Sequence, residues 1–91
     1  MAKRIDLAPK LDTASTQNLR DHLLSAADQD IVLVGTQVEL FGALALELIM
    51  SAANIWKRQG LAISLEDPST QMIDDLHRFG LTPDTLLESA V

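Results

Sequence analysis

The run "DIVLVG", Asp30 to Gly35, limits most tightly what this chain can fold into. Four consecutive apolar residues, three of them β-branched, leave no polar side for water. The run is too short for an ordinary helix and is flanked by "DQD" and Gly35, so it reads as a buried central strand. Two other segments read as strands. "KRIDL", Lys3 to Leu7, alternates polar and apolar residues before Pro9, as an edge strand does. "LAISL", Leu61 to Leu65, is the third.

Helical patterns fill the gaps. In "DTASTQNLRDHLLSAADQD", Asp12 or Thr13 caps a helix whose apolar face is Leu19, Leu23, Ala26 and Ala27. "FGALALELIMSAANIWKRQG" is rich in Ala and Leu, carries Lys57 and Arg58 in its last turn and stops at Gly60. Upstream of its helix, Val38 onward reads as the end of a strand entering it. In "EDPSTQMIDDLHRFG", Asp67 or Ser69 is the cap, Pro68 lies near the first helical position and Gly80 terminates. Met72, Ile73, Leu76 and Phe79 form its expected buried stripe. "TPDTLLES" repeats the signal for a last short turn. The β-α-β-α-β-α order predicts an α/β fold, a small mostly parallel or mixed sheet with packed helices. Whether the helices lie on one side of the sheet or both stays open. With 91 residues, 47% of them hydrophobic, the expectation is one domain over residues 1–91.

Charge and composition exclude several function classes. The net charge is -6, and the only basic pairs are Lys3-Arg4 and Lys57-Arg58, so no cationic patch serves nucleic acid. There is no cysteine, which excludes disulfides, thiolate metal sites and cysteine catalysis. Neither a signal-peptide core nor a membrane-length apolar segment is present, and a cytoplasmic protein without membrane insertion is expected. His22 and His77 lie on separate helices. With Asp21, Asp74 and Asp75 they read as solvated helix faces, not as metal ligands or catalytic bases. No hydrolase, P-loop or dinucleotide motif occurs, and no cofactor is implied. An acyl or peptidyl carrier would need a Ser at a helix start and almost no sheet. A small hydrolase would need His22 or His77 to act.

Projecting Gly42–Arg58 at about 100° per residue places Ala45, Leu48, Ile49, Ala52 and Trp56 on a core face. Glu47, Ser51, Asn54 and Arg58 fall opposite, flanked by Ala43, Leu44 and Met50. Small and soft apolar residues beside a few polar ones suit a partner surface. Equally, scattered exposed apolar residues are common on any protein.

Several phrases together resemble the STAS domain, the fold of anti-anti-sigma factors. In that family a strand of the form "vvLDLSxV" is followed by "xxIDSSGLxxLL" opening a helix. Leu33, Thr36 and Val38 match the first phrase, Phe41 the apolar residue before the second phrase's Asp, and Leu46, Leu48 and Ile49 its helix. Gly60, Leu65, Ser69, Ile73, Leu76, Gly80 and Leu81 match the family's tail. The resemblance covers about Lys3 to Leu81. The departures are specific. Val34 replaces an Asp, Gly42 replaces the Asp of the Asp-Ser-Ser-Gly step, and Ala43 stands where the phosphorylated Ser or Thr would be.

The resemblance implies a non-catalytic protein-interaction domain in bacterial signal transduction with a degenerate phosphosite at Gly42 and Ala43. The implied contact set is Leu40, Phe41, Ala43, Leu44, Glu47 and Met50, with Ser51 and Asn54 at the rim; Phe41 has the alternative of lying in the core. The implied partner is a sensor kinase, an anti-sigma kinase or a chemotaxis-type protein, or alternatively the ATPase of a lipid transporter served by a stand-alone STAS subunit. Ala43 cannot accept a phosphoryl group, so the site would be a constitutive adaptor, or else its role is lost and partners bind elsewhere. Thr36 reads as a loop hydroxyl and Ser51 as a solvated helix position, not as substitute phosphosites.

Overall fold

The computed structural model describes residues 2–88, with side chains through Leu87. Three strands, β1 (Lys3–Asp6), β3 (Ile31–Val34) and β5 (Ile63–Glu66), form an all-parallel sheet in the order β1-β3-β5. The apolar run is its central strand and "KRID" an edge. Helices α1 (Thr13–Ser25), α2 (Ala43–Arg58), α3 (Thr70–Arg78) and α4 (Pro83–Glu88) complete the α/β fold. The last of these is the expected final turn; its Ser89 lies outside the described residues.

Register and burial settle which side the helices take. Ile5, Leu33 and Leu65 are aligned across the sheet, as are Ile31 and Ile63, and all are buried or half-buried. Their neighbours Arg4 and Ser64, on the opposite face, are exposed, and Val32 between them is half-buried. The helices therefore cover one face, since successive side chains alternate. On the other face Arg4 donates to Glu66 at 2.8 Å, tying β1 to β5 across β3. Bonding and charge from Glu66 raise the Arg4 pKa. Both side chains are about half-exposed, so solvent screening leaves the pair little weight in stability.

The covered face carries one hydrophobic cluster. It runs from Ile5, Ile31 and Leu33 through Leu19 and Leu23 of α1 and Ile49 and Trp56 of α2 to Met72 and Leu76 of α3. Trp56 Nε1 donates to the Gln29 carbonyl at 2.7 Å, which satisfies its one polar atom. At Gly35, where β3 ends, a Cβ would come within 2.8 Å of Met72 Sδ and 3.1 Å of the Pro68 backbone. Only glycine lets α3 start this close to the sheet.

Helix ends follow local chemistry. Asp12 accepts from Ser15 N–H at 3.1 Å and Ser69 from Met72 N–H at 3.0 Å, so these two are the caps. Gly60 and Gly80 take positive φ, 72° and 77°, just past α2 and α3. The stripe expected on α3 needs correction. Met72 and Leu76 are buried, but Phe79 is the C-cap residue and is exposed.

Two short strands complete the fold. β2 (Lys10–Leu11) and β4 (Leu40–Phe41) form a separate parallel ladder, Lys10 opposite Leu40 and Leu11 opposite Phe41. The strand end expected before α2 is thus β4, a short strand of its own and not a continuation of β3. After Val34 the chain turns, with Val38 N–H on the Gly35 carbonyl at 3.3 Å, and makes a new short strand.

Candidate functional site at the start of helix α2

The residues before α2 are held from two sides. From β2 side, the Pro9 carbonyl accepts from Glu39 N–H at 2.6 Å and from Leu40 N–H at 3.0 Å. From α3, the Asp75 carboxylate accepts from Phe41 N–H at 2.9 Å. Asp75 is 5% exposed. Its other oxygen accepts from the Gln71 amide at 3.1 Å and lies 3.8 Å from an Arg78 guanidinium nitrogen. This overturns the reading of Asp75 as part of a solvated face. It is a buried carboxylate tying α3 to β4. Asp74 and His77 are exposed, as is His22 on α1. Among the described residues, no group of three or more His, Cys, Asp or Glu side chains is placed to hold a metal ion.

Phe41 is 2% exposed and packs in the core, so it does not belong in the contact set. The cause is alternation on β4: Phe41 points inward, and Leu40, one residue earlier, points outward with 48% exposure. Burying a ring of this size stabilises by roughly 2–3 kcal/mol. The inward Phe41 therefore anchors the outward Leu40.

Gly42 is the N-cap of α2 and supplies no side-chain cap bond; its carbonyl accepts from Leu46 N–H at 3.1 Å. A Cβ at Gly42 would sit 3.1 Å from the Leu11 carbonyl oxygen, so a larger residue must push β2 by a few tenths of an ångström. Ala43 and Leu44 follow, both exposed, Leu44 at 52%. Glu47 and Ser51 are exposed, and Met50 and Asn54 half-buried. With no acidic residue in the first turn, the positive end of the helix dipole is not offset there.

The core face of α2 is Ala45, Ile49, Ala52, Ala53 and Trp56. Leu48, expected in it, is half-buried, and with Ser51 it lines a groove toward α1. Ile55, which the sequence did not single out, is exposed in the same groove. Leu40, Ala43, Leu44 and Glu47 are all exposed where β4 passes into α2. Met50 and Asn54 continue along the helix, about 120° and 80° around from Leu44. Thr36 is exposed on the turn after β3, beside Gln37, whose amide donates to the Leu7 carbonyl at 2.9 Å. Nothing in this arrangement places a nucleophile beside a base. What the surface offers is two outward leucines, one alanine and a carboxylate on a rigidly held helix start. No helix among the described residues is long and apolar enough to cross a membrane.

The model of the family described as "Mlab, STAS domain" matches residues 2–88 of this chain. The chain belongs to the STAS domain family. No curated protein matches it.

Proposed function

We propose that this protein is a non-catalytic STAS domain, acting as one unit over residues 1–91, that binds a protein partner through the start of α2. The contact set is Leu40, Ala43, Leu44 and Glu47, with Met50, Ser51 and Asn54 further along the helix and Phe41 as its internal anchor. STAS domains are generally binding domains, and the family match supports that level of the reading. One observation carries the rest. Leu40 and Leu44, each about half-exposed, flank a helix start that Asp75 and β2 hold in place. Outward apolar groups on a rigid support bind with little ordering cost.

The site has no switch of the phosphoryl kind. In phosphorylatable relatives a phosphate would add about -1.5 to -2 charge beside the apolar groups and block docking. Ala43 keeps the surface in the receptive state. The partner class is a signalling protein in bacteria: a sensor kinase, an anti-sigma kinase or a chemotaxis-type protein, met in the cytoplasm. A lipid-transport ATPase is the second reading. It is favoured by the same alanine, because a permanent subunit needs no release by phosphorylation.

Paired capture from native lysate tests the site. Ala43→Glu places a charge at the start of the helix and leaves the core untouched. The expected result is a partner retained by the wild type and lost by the folded variant. Recovery of the same partners with both removes this surface from the account.

A further inference from the structure

A second apolar feature lies along the flank of α2. Between α1 and α2 runs a groove of about 260 Å³. Leu23, Ala52 and Trp56 form its buried floor, while Leu24, 64% exposed, and Ile55, 47% exposed, stand along it. Arg20 is the one charged residue lining it, and Arg20 makes no ion pair among the described residues. On α2 the groove wall continues a stripe. Leu44, Leu48, Ser51 and Ile55 recur at i, i+4, i+7 and i+11 and fall within about 60° of one another. That stripe is roughly 16 Å long, or three helical turns.

We infer that the groove seats an amphipathic helix of the protein partner, apolar along one side and bearing a carboxylate that reaches Arg20. The inference rests on the proposed reading of this chain as a protein-binding domain, and Leu44 belongs to both surfaces. A channel between two neighbouring helices accepts a third helix whose anchors repeat every three to four residues. The small Ala52 in the floor lets that helix approach closely. An unpaired guanidinium beside an apolar wall selects a carboxylate at its edge. A second copy of this chain is the poorer occupant, since each copy carries a net charge of -6 and like charge opposes self-association.

Trp56 is the only tryptophan and lines the groove, so its emission reports occupancy. Two designed helical peptides of about 15 residues serve as probes, long enough to cover three turns. Both carry leucines at i, i+4 and i+7; one has glutamates at the edge and the other lysines. The glutamate peptide is expected to give a saturable change in Trp56 emission and to bind at least about fivefold more tightly than the lysine peptide. Arg20→Glu should reverse that preference. Leu24→Asp should weaken both peptides more than about tenfold. No saturable response overturns the inference, as does an affinity unchanged by Arg20→Glu and Leu24→Asp. A dimer in sedimentation that Leu24→Asp dissolves also overturns it, naming a second copy as occupant. The captured native partner separates the two proposals. Loss with Ala43→Glu but not with Arg20→Glu or Leu24→Asp keeps the docking site and rejects the groove. The opposite pattern keeps the groove and rejects the start of α2.

Discussion

Helices α3 and α2 begin in contrasting ways. At α3 the chain closes the end with its own hydroxyl: Ser69 accepts from Met72 N–H three residues later and donates to the Val38 carbonyl. At α2 the N-cap is Gly42, which offers no side chain. The strand before it is fixed instead by Asp75, 34 residues further along the chain, and by pairing with β2. Both ends make long-range contacts, but only α3 is also capped by a side chain of its own. The exposed leucines sit at the start of α2. A helix start that does not spend its surface on a cap leaves its first turn open to a partner.

Removing the remote support should cost most. Asp75→Leu leaves Phe41 N–H buried without an acceptor, and a loss of about 2–3 kcal/mol is expected in urea denaturation. Hydrogen exchange at Phe41 should accelerate with it. Asp75→Asn keeps an acceptor oxygen and should lose about 1 kcal/mol or less. Equal losses in the two variants would mean that the carboxylate acts by charge and not as an acceptor. Next comes Ser69→Ala, which removes a cap and the bond to Val38, at about 1–2 kcal/mol. The smallest effect belongs to Asp12→Ala on α1, a cap on an exposed end, at about 0.5–1 kcal/mol. If Asp12→Ala costs as much as Asp75→Leu, the contrast between local and remote support fails.

The same contrast explains what could be read from the chain. Helix stops at Gly60 and Gly80 are legible, and the caps are legible as Asp12 or Thr13 and Asp67 or Ser69, because each is a contact or conformation completed within a few residues. The central strand was legible from its unbroken apolar run. Asp75 was not. It lies beside the apolar stripe of Met72 and Leu76, but its partner is a backbone N–H that no residue type announces. Nor is β2, two residues long, visible to any periodicity, whereas β4 is the strand end expected before α2. Spacing places Phe79 in the stripe, yet the helix ends before that spacing can act. Of the candidate contact residues, Leu40, Ala43, Leu44, Glu47 and Ser51 are exposed, Met50 and Asn54 are half-buried and Phe41 is core; one step of alternation on a strand of two residues separates Leu40 from Phe41. The groove wall at Leu24 and Ile55 is not legible in sequence because a single-helix projection does not contain the neighbouring helix.

The most direct test of the central claim is the affinity of the captured partner, by calorimetric titration, for wild type, Ala43→Ser and Ala43→Glu. Ala43→Ser adds one hydroxyl and should bind within about twofold of wild type, a difference of under 0.5 kcal/mol. Ala43→Glu should bind more than about tenfold more weakly. If all three bind alike, the start of α2 is not where this domain meets its partner.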